Sequence, residues 1–229
     1  MVELAEANPS VGVVGCYQLS GGGGEWHLRT DGLSYYRKVV PGREICRMHL
    51  LGTLSILGNP TSNLFRADLV RNADAFFPND TTEADVSAVL KHLQAADFGF
   101  IHQVLTHERL HGESATTTAW SRNAYLPARL GDCVTYGPVY LTPTELENRI
   151  QELLEEYYKF LGLCALQFRD KAFWDYHKKR LAEIGYPLDW RRVSKAASLK
   201  FIDLALNPKN TVELFLKRKN KSQSQGSHT

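Results

Sequence analysis

Apolar residues at helical spacing are clearest in the second half of the chain. Thr142-Pro143-Thr144-Glu145 has the pattern of a helix N-terminus, with a capping threonine, a proline at the first helical position and a glutamate at the third. The apolar stripe that follows consists of Leu146, Ile150, Leu153, Leu154, Tyr157 and Leu161. Further helices are predicted at about 168–184 and, after a cap at Asp189, at 190–206. This region is therefore predicted to be mostly helical.

Short apolar runs alternate with helical patterns in the first half. VGVVGCYQL, at 11–19, is typical of a buried strand, and GFIHQVL, at 99–105, predicts another. Between them, PGREICRMHLLG predicts a short helix. TTEADVSAVLKHL predicts a second helix, which Thr82 caps and which carries Asp85 near its start. Gly21 to Gly24 are expected to form a surface loop.

Composition narrows the class of protein. With 229 residues the chain can form one large domain, or one domain and an appendage. A net charge of +2 is too small to argue for nucleic-acid binding. The four cysteines lie far apart without zinc-type spacing, which favours reduced thiols. The sequence has no apolar run of about 20 residues and no signal-peptide pattern, so we expect a cytoplasmic protein without a transmembrane segment.

Ionisable side chains gather at two places. THERLHGES, at 106–114, places two histidines, two acids and an arginine just after a predicted strand, and Asp85 lies at a helix start. Such groups suit base and metal-ligand chemistry, although Asp85 is also explained as a capping residue with Thr82.

Arg43 and Arg47 are i,i+4 neighbours that could clamp an anion; a solvated helix face is an equally good interpretation.

Taken in order, several segments resemble the family 2 glycosyltransferases, which are inverting enzymes of the GT-A fold that use a nucleotide-activated sugar. The likeness covers roughly residues 1–161 and rests on ANPSVGVVGCYQL, GREICRMHLLG, GNPTSNLFRADLV, TEADVSAVLKHLQAADFGFIHQVL and THERLHGES. It implies an α/β fold: the C-terminal half of a GT-A mixed sheet with a helical appendage. The implied divisions are an acceptor-side half at 1–114, a mostly helical region at 115–216 and a disordered basic tail at 217–229.

The resemblance also implies roles for individual residues. Asp85 takes the position of the catalytic base. Ala84 stands where the family usually has a supporting carboxylate, which is therefore either absent or supplied by Glu83. His111 takes the position of a metal ligand, for Mg²⁺ or Mn²⁺. The donor and leaving-group side is assigned to Arg109, Arg43 and Arg47, and acceptor binding to Asn59, Thr61, Ser62 and Arg66.

The sequence departs from the family at its start. The resemblance implies a nucleotide-binding βαβ half that ends in an Asp-x-Asp or Asp-Asp motif, whereas residue 1 already matches the helix after that motif. We therefore expect the chain to be the acceptor-side part of a longer enzyme, with an incomplete metal site and no activity alone. Strands that would lie inside the sheet become edges, which favours a homo-oligomer or a partner chain that covers them.

Two functions follow as hypotheses. The first is transfer of a sugar, with inversion, from a nucleotide-sugar donor to a saccharide or lipid-linked acceptor. The alternative is a non-catalytic binding or scaffold protein built on a truncated GT-A fold.

Overall fold

The computed structural model describes residues 1–22, 25–28, 33–57, 59–77, 83–109 and 122–206. Contacts divide the chain into two compact units, Met1–Leu153 and Leu154–Thr229. The predicted divisions at 114 and 216 both fall outside the described residues and stay predictions.

Within its described residues, the first unit is built on a mixed sheet of five strands. They are β1 (Val11–Gly22), β2 (Glu25–Leu28), β3 (Val39–Val40), β4 (Asn63–Phe65) and β5 (Asp97–Arg109). β1 and β5 run parallel at the centre of the sheet, and β3 pairs antiparallel with β5. On its other side, β1 pairs antiparallel with β4 near its start and with β2 near its end. The structure thus confirms a mixed α/β fold.

The centre of the sheet is buried because its strands are apolar on both faces. Val13 and Val14 point to opposite faces of β1, and both are almost inaccessible to solvent. Phe98 and Phe100 of β5 are equally buried. Continuous burial of this kind is typical of strands that are covered on both sides, so VGVVGCYQL was correctly interpreted as a core strand.

Five helices and the start of a sixth surround this sheet within the described part of the first unit. They are α1 (Val2–Ala7), α2 (Gly42–Leu50), α3 (Ala67–Arg71), α4 (Ala84–His92), α5 (Tyr125–Tyr140) and α6 (Pro143–Leu166). The predicted helix start at residue 142 is confirmed, since the Thr142 hydroxyl accepts from the Glu145 amide and the Glu145 carboxylate accepts from the Thr142 amide. The helix α5 was not predicted.

The second unit contains the rest of α6, α7 (Lys171–Ile184) and α8 (Trp190–Leu206), which confirms the helices predicted there. Its core includes a buried hydrogen bond between the Tyr157 hydroxyl and His177 Nδ1, at 2.6 Å. Asp170 caps α7 by accepting from the Phe173 amide. In the described part of the chain, no helix is both long and apolar enough to cross a membrane.

The sheet has an exposed edge in its described part. β3 pairs with β5 only at Phe98 and Gly99, although β5 continues to Arg109. Further along, Val104 and Leu105 are exposed to solvent. The predicted oligomer or partner chain would have this edge to cover, and it stays a prediction.

Candidate functional site

Asp85 lies in the first turn of α4 and is held by two backbone amides. Its Oδ2 accepts from the Asn59 amide at 2.7 Å, and its Oδ1 accepts from the Val86 amide at 3.0 Å. The first of these bonds joins the acidic helix start to the Gly-Asn-Pro-Thr-Ser turn, 26 residues earlier in the chain. Two segments to which the resemblance assigns the base and the acceptor therefore meet. The predicted cap, Thr82, lies outside the described residues.

The turn that contacts Asp85 is stabilised by its own side chains. Asn59 has a φ of 72°, a left-handed conformation that asparagine tolerates better than most residues. Its Oδ1 accepts from both the amide and the hydroxyl of Thr61. The Ser62 hydroxyl donates to the Asn59 carbonyl and is almost fully buried, whereas Thr61 is exposed. Of the predicted acceptor-binding residues in this turn, Thr61 presents its side chain to solvent and Ser62 supports the backbone.

Two further acids lie beside Asp85. Burial, with Asp132 and Asp85 nearby, raises the pKa of Glu83 to about 8. Burial also raises the pKa of Asp132 to about 7, against the opposing effect of a hydrogen bond from the Ser87 hydroxyl at 2.5 Å. The second carboxylate oxygen of Asp132 is buried and has no hydrogen-bond partner in the described part of the chain. These two groups hold protons near neutral pH that ordinary carboxyl groups would release.

A cavity of about 340 Å³ adjoins this acidic cluster. Its lining combines both acids with basic and apolar groups: His49, Leu50, Gly52, Leu54, Ser55, Glu83, Arg129, Asp132, Arg149 and Leu153. Burial, helped by the positive charges of Arg129 and Arg149, lowers the pKa of His49 to about 4. His49 Nδ1 is buried and has no hydrogen-bond partner among the described atoms. The cavity therefore holds a neutral imidazole, guanidinium groups and carboxyl groups that retain protons.

Arg149 is fixed at the wall of this cavity. Its Nε donates to the Leu50 carbonyl at 2.8 Å, and its Nη1 pairs with Glu152 at 2.9 Å. A Cβ atom on Gly52, which has a φ of 75°, would come within 2.7 Å of the Arg149 guanidinium. A glycine at position 52 thus leaves room for the arginine.

The arginines predicted for the donor side occupy different places. Arg43 donates to the Val139 carbonyl at 2.6 Å, and Arg47 forms an ion pair with Glu145, so both tie α2 to the α5–α6 region. Arg109 is exposed at the end of β5, where it lies opposite Gly21 in the sheet. The structure does not gather these three arginines at one point, and their predicted role stays a prediction.

Arg66, predicted to bind acceptor, is used by the fold. Its guanidinium donates to the backbone carbonyls of Val11 and Ala5 at 2.9–3.1 Å. These bonds fix the end of β4 against the start of β1. A role in acceptor binding remains a prediction for this residue.

The predicted metal site is not assembled by the described side chains. Within those ranges, no three His, Cys, Asp or Glu residues are placed to share one ion. The predicted ligand, His111, lies outside them. The predicted Mg²⁺ or Mn²⁺ site therefore stays a prediction, and we derive no step through a metal.

The sequence analysis missed most of the cavity. Asp132 lies in LGDCV, an apolar stretch where a lone carboxylate is a signal of a buried functional group. Arg129 and Arg149 are ordinary helix residues in sequence, and their convergence with His49 depends on how α2, α5 and α6 pack. Of the acids, Glu83 alone was anticipated as a companion of Asp85.

Comparison with known proteins leaves the family of this chain open. No protein-family model matches the sequence, and no curated protein matches it significantly. The function therefore has to be argued from the resemblance and from the geometry of the site.

Proposed function

We propose that this chain is the acceptor-side half of an inverting glycosyltransferase of the GT-A type, with Asp85 as the general base. The observation that supports it best is the bond from the Asn59 amide to Asp85. It joins the two motifs that the resemblance assigns to the acceptor and to the base, although nothing in their spacing requires them to meet. The parallel pairing of β1 with β5 and the antiparallel pairing of β4 with β1 are consistent with a GT-A sheet.

The chemistry suits an oriented carboxylate. In an inverting transfer, the base takes the proton of the acceptor hydroxyl while that oxygen attacks the anomeric carbon, and the bond to the nucleotide diphosphate breaks. The Asn59 and Val86 amides fix the direction of the Asp85 carboxylate. Glu83 and Asp132, whose pKa values are raised, carry protons near neutral pH and add little competing negative charge.

The cavity beside Glu83 and Asp132 supplies groups that bind hydroxyls. Protonated carboxyl groups donate and accept hydrogen bonds, and guanidinium groups donate in fixed pairs. Arg129, Arg149 and His49 line the same space of about 340 Å³, which is large enough for one sugar unit. We assign the acceptor saccharide to this cavity, with its reactive hydroxyl extending beyond Glu83 toward Asp85, which lies two residues further along the chain and is not itself part of the lining.

Saccharide binding by the chain alone tests this assignment without a donor. In saturation-transfer NMR against a panel of mono- and disaccharides, at least one sugar should bind. Arg129→Gln should weaken its binding about tenfold or more, because a charged hydrogen-bond donor is lost. Arg122→Gln, an exposed arginine outside the cavity lining, is the matched control and should bind as the wild type does.

Two results would count against the proposal. If no saccharide binds, the acceptor assignment fails. If a sugar binds equally well to Arg129→Gln and to the wild type, the sugar site lies elsewhere and the cavity has another role.

A further inference from the structure

The last helix of the second unit, α8, is barely covered by the described part of the chain. Of its 17 residues, only Val193 is buried. Four large apolar side chains near its end are more than half exposed: Leu199, Phe201, Ile202 and Leu206. We call these four residues the α8 apolar patch. Leu199, Ile202 and Leu206 are spaced at i, i+3 and i+7 and so share one side of the helix, and exposed apolar side chains that share a surface mark an interaction site.

Positive charge is concentrated around this patch. The helix carries four basic residues, Arg191, Arg192, Lys195 and Lys200, and one acid, Asp203. From Trp190 to the end, the sequence contains nine Lys and Arg but two Asp and Glu, although the net charge of the whole chain is only +2. The excess of cations therefore belongs to this end of the protein.

A groove of about 550 Å³ in the second unit adjoins the patch, because Leu199 belongs to both. Four cations, Lys159, Arg192, Lys195 and Lys200, and two acids, Glu155 and Asp203, line the groove. Lys159 pairs with Glu155 at 3.8 Å. Some of them are engaged, since Lys200 pairs with Asp203 at 2.7 Å and the Arg192 guanidinium lies 4.2 Å from the Tyr158 ring centroid. Lys195 has no ion-pair partner within the described ranges. An anionic headgroup would find both a cationic lining and an apolar neighbour.

We propose that α8 docks on a membrane surface that contains anionic lipids. In this arrangement the α8 apolar patch enters the boundary between headgroups and acyl chains, and the groove takes a lipid phosphate. Each basic residue near such a surface strengthens binding to anionic lipid. A helix that lies in the interface does not have to span the bilayer.

Charge distinguishes this occupant from two others. A second copy of α8 would bring like charges together, and the segment after Leu206 is itself rich in lysine. An anionic lipid surface complements the positive charge of α8 and of the segment after it. The inference does not depend on glycosyl transfer, although docking would hold the protein where lipid-linked acceptors are found.

Vesicle flotation with the full chain tests the inference. We expect the protein to float with vesicles of phosphatidylcholine and phosphatidylglycerol, and not with phosphatidylcholine alone. The double variant Phe201→Ser, Ile202→Ser should lose binding about tenfold or more, because two large apolar side chains no longer enter the interface. Charge reversal by Arg191→Glu with Lys195→Glu should also release the protein.

The matched control is Phe168→Ser, which removes an exposed phenyl ring of the same unit that is not part of α8. It should bind vesicles as the wild type does, and circular dichroism should show that all variants keep their helical content. Equal binding to neutral and anionic vesicles, or no binding at all, would overturn the inference. So would a dimer that the Phe201→Ser, Ile202→Ser variant abolishes in the absence of vesicle binding, since the patch would then be a contact between two copies.

Discussion

Asp85→Asn is expected to abolish glycosyl transfer when the chain is combined with a nucleotide-binding half, with a loss of about 10³-fold or more in kcat. The amide has the shape of the carboxylate and can still accept from the Asn59 amide. It cannot take a proton from the acceptor hydroxyl. Donor binding should therefore remain while turnover disappears, which single-turnover kinetics would separate.

Asp68→Asn is the matched control for this variant. Asp68 also lies in the first turn of a short helix, α3, but it is exposed and is not the carboxylate that accepts from the Asn59 amide. Its substitution should leave transfer unchanged. If Asp85→Asn kept transfer within tenfold of the wild type, Asp85 would be a structural link between α4 and the turn at Asn59, and not a base.

The second large effect concerns pH and stability. The pKa of Asp132 is raised from 3.8 to about 7 and that of Glu83 from 4.5 to about 8. At any pH between the ordinary and the raised pKa of each group, the folded chain holds a proton that the unfolded chain releases. The contribution of both groups to stability is thus complete below about pH 4 and is lost as the pH rises through 7 to 8. Asp132→Asn should remove the part of this loss that Asp132 causes. As the pH rises from 4 to 8, the free energy of unfolding of the variant should increase by about 2–4 kcal/mol relative to that of the wild type.

Urea denaturation at several pH values measures this effect. Asp68→Asn is again the control, because its side chain is exposed and lies outside the cavity lining that contains Glu83 and Asp132. His49 acts in the opposite direction: its pKa is lowered from 6.5 to about 4, so its contribution is present above pH 6.5 and is lost as the pH falls. A wild type and an Asp132→Asn variant with parallel pH profiles would show that Asp132 does not titrate near neutrality.

Local sequence signals predicted the elements whose stability is mostly local. The capping box at Thr142 and Glu145 and the apolar stripe after it located the start of α6 correctly. The apolar run at 11–19 located the central strand. In these places propensity, capping and hydrophobic spacing agree, so local signals were enough to predict the secondary structure.

The elements that the sequence concealed depend on distant contacts. α5 contains Gly131, Gly137 and Pro138, which are poor helix residues, and packing of Leu126 and Leu130 in the core overrides them. Gly21 and Gly22 were expected in a loop but belong to β1, where Gly21 pairs with Trp26 of β2. A Cβ on Gly21 would meet the Glu25 carbonyl oxygen at 2.0 Å, so glycine is required there by close approach and not by flexibility.

The candidate site likewise combines a residue that local sequence suggested with residues that only distant contacts bring together. Asp85 was identified as a candidate from its place at a helix start, but its bond to Asn59 spans 26 residues and has no local signal. Asp132 and Arg129 reach the cavity from α5, and Arg149 reaches it from α6. Because tertiary packing alone brings these elements together, the sequence could suggest the base and not its surroundings.

The central claim is that this chain is the acceptor-side half of an inverting glycosyltransferase. The most direct test is to titrate the purified chain with UDP and dTDP, with and without Mn²⁺, and to measure sugar transfer in the same preparation. The sequence has no Asp-x-Asp or Asp-Asp motif. We therefore expect no nucleotide binding by the chain alone. We also expect sugar transfer with inversion once a family 2 nucleotide-binding half is supplied as a second chain. Metal-dependent binding by the chain alone that disappears in Asp85→Ala or His111→Ala would contradict the central claim, as would a failure of the added half to produce transfer.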